Sequence, residues 1–162
     1  MDIRVMTIGD YEKVYGLWRT IRGFGIRSVD DSREGIERFL RRNPTTSITA
    51  WDGEELIGAI LCGHDGRRGC LYHVCVRKGY RRQGVGKAMV VACMEALKAE
   101  KINHVSLIAF TRNDIGNAFW NKIGWTRRQD LNYYDFMLNE ANITAFIEED
   151  EKAASREGME RN

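Results

Sequence analysis

Apolar residues recur along this chain first at strand spacing and then at helix spacing, and each switch marks an element boundary. Residues 2–6 alternate like a short edge strand. Thr7 with Asp10 three residues on is a capping-box signature. Val14, Leu17, Trp18 and Ile21 then share one helical face, which predicts a helix over 8–21. Residues 23–27, Gly-Phe-Gly-Ile-Arg, break that period. A second helix is predicted from near Asp31, with Ile36, Phe39 and Leu40 inward, ending before Pro44. Strands over 47–51 and 55–62 flank Asp52-Gly53, a strong hairpin signal. A polar turn over 63–69 leads into a buried strand over 70–76. The clearest helix covers 84–100, with Met89, Val90, Cys93 and Leu97 on one face. A strand over 104–110 without alternation suits a sheet interior. A short helix over 115–123 and strands over 125–129 and 133–138 complete the order. Strand, helix and strand over 70–110 form a crossover unit, which makes its two strands parallel with the helix on one face. The pattern holds no repeat and no linker, so it predicts one mixed α/β domain over 1–140 and a charged extension over 141–162.

Composition adds limits rather than detail. With 162 residues, 43% of them hydrophobic, the chain can bury a core without staples. No run approaches the roughly 18 apolar residues of a membrane span, and Met1-Asp2-Ile3-Arg4 lacks a signal-peptide pattern. A cytoplasmic protein with no membrane partner is expected. Cys62, Cys70, Cys75 and Cys93 show no Cys-x-x-Cys spacing and read as reduced thiols used as small hydrophobes. His64, His73 and His104 do not pair with them at zinc-site spacing, so no metal is expected.

The charge distribution says more than its sum of +2. The last fifteen residues hold six acidic and three basic side chains, a composition expected of a solvated, partly disordered tail, and they leave residues 1–147 at +5. Residues 66–94 contain no Asp or Glu but carry Arg67, Arg68, Arg77, Lys78, Arg81, Arg82 and Lys87. A polyanion should dock there. Within this stretch, Arg77-Lys78-Gly79-Tyr80-Arg81-Arg82-Gln83-Gly84-Val85-Gly86-Lys87 joins strand to helix. Free N–H groups and the helix dipole make such a junction an anion site, and Gly84 and Gly86 allow close approach. Spacing separates the competing phosphate motifs. For a P-loop, Val85 and Gly86 stand where Lys and Ser/Thr are needed; for a dinucleotide fingerprint, Met89 stands at the third glycine. The pattern Arg/Gln-x-x-Gly-x-Gly/Ala is met by Arg81-Arg82-Gln83-Gly84-Val85-Gly86.

In this motif the chain resembles the GCN5-related N-acetyltransferase (GNAT) superfamily. Val74-Cys75-Val76 followed by Gly79-Tyr80-Arg81, and Asn113-x-x-Gly116-x-x-Phe119-Trp120-x-x-x-Gly124-Trp125, extend the resemblance over about residues 2–138. The chain also looks like the free-standing bacterial relatives of ribosomal-protein-alanine acetyltransferase. The resemblance implies an α/β (α+β) fold: a central mixed, mostly antiparallel sheet with its fourth and fifth strands parallel and splayed, flanked by helices. It implies transfer of acetyl from acetyl-CoA directly to a primary amine in a ternary complex, the acceptor being a small molecule or a protein N-terminus. Carried over residue by residue, Val74, Cys75 and Val76 give main-chain contacts to pantetheine. Arg81, Arg82, Gln83, Gly84, Val85, Gly86 and Lys87 wrap the pyrophosphate, and Asn113 bonds the pantetheine arm.

Trp120 stands where family members commonly carry a Tyr that protonates the thiolate, and an indole N–H has no comparable acidity. Either Tyr134, or its neighbour Tyr133, is the candidate acid, or the thiolate, a good leaving group, departs without protein help. His73 is the candidate base, since imidazole titrates near working pH. Phe24, Arg27 and Tyr72 are expected at the acceptor, with residues 23–27 as a mobile flap. Covalent catalysis through Cys75 is not expected, and no nucleic-acid partner is expected, because the phosphate loop accounts for the basic stretch. The oligomeric expectation is monomer or homodimer. The alternative in another class is a CoA-binding or sensing module with degenerate chemistry, motivated by Trp120.

Overall fold

The computed structural model describes residues 1–147; the acidic tail over 148–162 lies outside the described residues. In chain order the elements are β1 (Asp2–Val5), α1 (Tyr11–Trp18), β2 (Gly25–Arg27), α2 (Arg33–Arg42), β3 (Ile48–Asp52), β4 (Glu55–His64), β5 (Gly69–Val76), α3 (Val85–Ala99), β6 (Val105–Leu107), α4 (Asp114–Lys122) and β7 (Thr144–Phe146). The main sheet runs β1-β3-β4-β5-β6, antiparallel except for the β5/β6 pair. That is the mixed, mostly antiparallel sheet the resemblance implied.

β4 is the sheet's spine because its residues Leu56–Gly63 are buried on both faces. On one face α1 and α2 press Val14, Leu17, Trp18 and Ile36 against Ala59 and Leu61. On the other, α3 presses Met89, Val90 and Cys93 against Ile57 and Ile60. Each such side chain contributes about 1.5–3 kcal/mol by leaving water, which is why the periods of α1 and α3 are so legible.

Two distortions shape the sheet around β5. Register shifts between Ala59 and Leu61 of β4, so β5 carries an extra residue, and there His73 takes a left-handed φ of +48°. Further along, β5 and β6 stay paired only over Gly69–Val105, Cys70–Ser106 and Leu71–Leu107. β6 then stops while β5 runs on to Val76, leaving one edge of β5 open beside a widening cleft. The expected strand over 104–110 is thus shortened to three residues.

The C-terminal part departs further from the sequence reading. Residues 125–129 and 133–138 form no strand and, over 126–138, no backbone hydrogen bond among the described residues. Apolar and aromatic residues alone do not make a strand; it needs a ladder partner. Instead Arg128 chelates Asp130 through two bonds of 2.8 and 2.7 Å, fixing a local bend, and Tyr134, Phe136 and Leu138 lie exposed. The paired backbone resumes beyond residue 140. β7 pairs antiparallel with β2, register Gly25–Phe146, Ile26–Ala145 and Arg27–Thr144. Gly23 N–H donates to Ile147 C=O, and Ile147 N–H donates back to Phe24 C=O. The segment over 23–27, expected to be a mobile flap, is therefore a strand bonded along its length by residues 143–147. No helix among the described residues is long and apolar enough to cross a membrane.

Candidate active site

The strand-to-helix junction over 77–87 turns sharply into α3. Arg82 and Gly84 take left-handed φ values of +61° and +85°, curling the chain so that Gly84 caps α3. The first helical bond runs from Ala88 N–H to Gly84 C=O. Ahead of it, the N–H groups of Gln83, Gly84, Val85, Gly86 and Lys87 have no acceptor among the described residues. Five consecutive free donors at the positive end of a fifteen-residue helix constitute an anion cradle. A Cβ on Gly84 would meet nothing within 4 Å, whereas one on Gly86 would come 3.2 Å from the Phe119 ring. Gly84 therefore serves the turn, and Gly86 the packing of α3 on α4.

The loop's basic residues divide by occupation. Arg81 Nε donates to Val76 C=O at 3.0 Å and Arg77 is tied to Glu55 and Leu56 C=O. Gln83 Nε2 donates to Gly79 C=O. Lys78, Arg82 and Lys87 have no partner among the described residues and point their charge to solvent. Two basic residues thus brace the loop, while three leave their charge unpaired among the described residues.

The open edge of β5 adjoins this cradle. Arg77 N–H bonds Ile57 C=O across to β4, so alternation turns Cys75 toward β4 and Val74 and Val76 toward the cleft. The main-chain groups of Cys75, expected to be free, therefore face β4, while those of Val74 and Val76 face away from it. The Cys75 thiol is buried, lies 3.8 Å from Ala59 C=O, and is pushed up to about 12 chiefly by burial. It is no nucleophile.

At the bulge, His73 lies between two aromatic rings, with centroids 4.7 Å from Trp18 and 4.8 Å from Phe24. Its Nε2 is 2.7 Å from Oδ1 of the buried Asp31. The sequence reading missed Asp31, because the contact joins residues 42 apart and Asp30-Asp31-Ser32 reads locally as a helix start. Tyr72 packs edge-on to Phe39 at 6.0 Å, and burial, then a hydrogen bond with Cys70, raises its phenol above the usual range. Arg27 contributes its backbone N–H to Asp31, while its side chain is exposed. Phe24 and His73 are thus stacked together at the entry to β2, while Tyr72 lies against Phe39 of α2 and is 48% exposed.

Three other expectations fare differently. Asn113 caps α4, its Oδ1 accepting Gly116 N–H at 3.0 Å, which leaves its Nδ2 as the group available to a ligand. Trp120 is wedged between Phe119 and Trp125, each centroid 4.9 Å away. Tyr134 is 86% exposed and bonded to nothing among the described residues, so the structure does not bring it to the cleft; Tyr133, nearer, adds to the rise of the Tyr72 pKa. The residues following β6 failed to extend the sheet, and a side chain on an unpaired segment has no fixed aim. No group of three or more metal-ligating side chains occurs among the described residues.

Comparison with known proteins agrees with this geometry. The model of the acetyltransferase (GNAT) family matches residues 11–125. An acetyltransferase of Sodalis glossinidius is 31% identical over 131 residues, 81% of this chain and 91% of its own. One of Pectobacterium atrosepticum is 28% identical over 76% of this chain and 86% of its own. Among solved structures, the PaiA N-acetyltransferase of Thermoplasma acidophilum in complex with coenzyme A superposes with a TM-score of 0.68 at 16% identity, covering 88% of this chain and 95% of that one. The aminoglycoside N-acetyltransferase AAC(6')-Iy, bound to a CoA-linked bisubstrate analogue, gives 0.67 at 18% identity over 84% and 97%. At those identities the structures speak for the fold, and the family model and curated relatives speak for descent: this chain is an acetyltransferase belonging to the GNAT family.

Proposed function

We propose that the protein transfers acetyl from acetyl-CoA to the primary amine of a small molecule, within a ternary complex. The observation that carries this reading is the run of five unpaired amides at the start of α3, beside the open edge of β5. These donors, with Arg82 and Lys87, fit the diphosphate, and the Val74 and Val76 backbones fit the amides of the pantetheine arm. Acetyl-CoA, when bound, supplies an activated acyl group whose thiolate leaves readily without an acid, because thiols ionise near pH 8.5. That makes the absence of a phenol at Trp120 tolerable. His73 takes the proton from the acceptor's ammonium, and the cleft end formed by Phe24, Tyr72 and His73 receives the acceptor.

A small acceptor is favoured by how that end is covered. β2 and β7 bridge the connection from α1 to α2, and Phe146 of β7 reaches Phe110 beyond β6, ring centroids 5.9 Å apart. An extended peptide would need this bridge to part. The solved neighbour AAC(6')-Iy carries an aminoglycoside-derived analogue, in keeping with such an acceptor. The test is turnover with acetyl-CoA against panels of small amines and of N-terminal peptides, with release of free thiol as the readout. Turnover confined to peptides would refute the small-molecule reading. Tight acetyl-CoA binding with no turnover on either panel would favour the binding-module alternative suggested by Trp120.

A further inference from the structure

The contact between Asp31 and His73 joins the roof of the acceptor site to its floor. Asp31 sits in the turn between β2 and α2, 4% exposed, and every polar atom it owns is engaged. Oδ1 meets His73 Nε2 at 2.7 Å, and Oδ2 accepts Arg27 N–H at 2.6 Å. Its own N–H donates to Arg27 C=O at 3.0 Å, and its C=O accepts from Tyr11 Oη–H at 2.9 Å. The turn is held in turn by Asn142, whose Oδ1 accepts the N–H groups of Val29 and Asp30. The carboxylate therefore has one orientation. His73 has one as well: its backbone is held in a left-handed bulge, a conformation that disfavours a residue with a Cβ, and its ring lies between Trp18 and Phe24.

A carboxylate accepts hydrogen bonds and does not donate them. A neutral His73 facing Asp31 through Nε2 must therefore carry its proton on Nε2 and keep the lone pair on Nδ1. Nδ1 bonds nothing among the described residues. The one buried side-chain nitrogen or oxygen without a partner among them is Trp18 Nε1, so Nδ1 is not sealed off, and the His73 side chain keeps 14% of its surface exposed.

We infer that Asp31 is the positioning residue of the reaction: it fixes the Nε2–H tautomer of His73 and so makes Nδ1 the atom that takes the acceptor's proton. The inference rests on His73 being the base. Nδ1 accepts one proton from R–NH3⁺, and the imidazolium formed keeps its Nε2–H on the Asp31 carboxylate. The freed amine lone pair forms the C–N bond to the acetyl carbon while the C–S bond breaks, its electron pair leaving on sulfur. The nitrogen's surplus proton goes to the thiolate, giving free CoA thiol, and the imidazolium returns its proton to water. Nothing is oxidised or reduced.

The experiment pairs nitrogen NMR with kinetics on the full chain. Protein labelled with ¹⁵N-histidine is read for the protonation of each ring nitrogen, with His73 assigned by the signal lost in His73→Gln. Asp31→Asn, which keeps the volume but offers an amide donor to Nε2, is compared with wild type on the best amine of the panel. The expected result is an Nε2–H tautomer in wild type. In Asp31→Asn the tautomer shifts, and kcat falls roughly 100-fold or more while KM for acetyl-CoA stays within about twofold. An Nδ1–H tautomer in wild type overturns the inference whatever Asp31→Asn does. So does an Asp31→Asn protein with tautomer and kcat unchanged while His73→Gln is inactive; that outcome leaves His73 as the base. A His73→Gln enzyme with full kcat removes the base itself, and the inference with it.

Discussion

Replacing Gly84 isolates the charge the α3 cradle is built to receive. Gly84 has φ +85° and ψ −6°, a left-handed conformation that Asn and Asp tolerate better than other side chains. A Cβ there meets nothing within 4 Å, so both Gly84→Asn and Gly84→Asp should fold at a similar, small cost. The two variants have nearly the same shape and differ by one negative charge beside the five free amides. At about 5 Å from one phosphate charge, with an effective dielectric of about 20, that carboxylate costs about 3 kcal/mol. Two orders of magnitude in acetyl-CoA affinity should therefore separate the variants. Calorimetric titration of both measures the gap directly. It should narrow as ionic strength rises and the Debye length falls toward the separation. A Gly84→Asp protein that binds acetyl-CoA within threefold of Gly84→Asn would refute the placement of the diphosphate.

Other consequences concern the roof of the site. Asn142 is buried and makes bonds to Val29 N–H, Asp30 N–H and Asp30 Oδ2. At about 1 kcal/mol for each bond lost, Asn142→Ala should cost about 2–3 kcal/mol and lower Tm by roughly 5–10 °C; an unchanged Tm would show that Asn142 does not clamp this turn. Tyr11, whose hydroxyl donates to Asp31 C=O, has its pKa pushed up to about 12, first by burial and then by the negative charges of Tyr15, Glu12 and Asp31. A folded-state value raised above the unfolded 10 stabilises fully below pH 10, and that contribution is lost as pH climbs through 12. Thermal melts from pH 9 to 12 should accordingly show wild type falling more steeply than Tyr11→Phe; parallel curves would contradict this.

Where the sequence was read correctly, local chemistry and tertiary context agreed. Helices α1, α2 and α3 lie where their apolar faces and caps put them, and β3 and β4 meet at Asp52-Gly53. The turn over 81–87 was legible because backbone amides freed by a helix start are a local feature, which a run of seven residues determines. The misread parts depended on distant partners. The aromatic and apolar run over 133–138 suggested a strand, yet those residues have no ladder, while Thr144–Phe146, with weaker patterning, finds one on β2. The two glycines at 23 and 25 suggested freedom, but that strand is pinned by a segment 120 residues away, which no local signal reveals. Asp31 was hidden for the same reason. Its neighbours announce a helix cap, and Ser32 does cap α2, whereas its own side chain turns to the other wall of the cleft.

The central claim is that the amides opening α3 hold the diphosphate of acetyl-CoA. A crystal structure of the complex tests it most directly. The account predicts diphosphate oxygens within hydrogen-bond distance of the N–H groups of Gly84, Val85, Gly86 and Lys87, with the pantetheine arm running along Val74 and Val76. A nucleotide bound away from that turn, with those amides still unpaired, would contradict it.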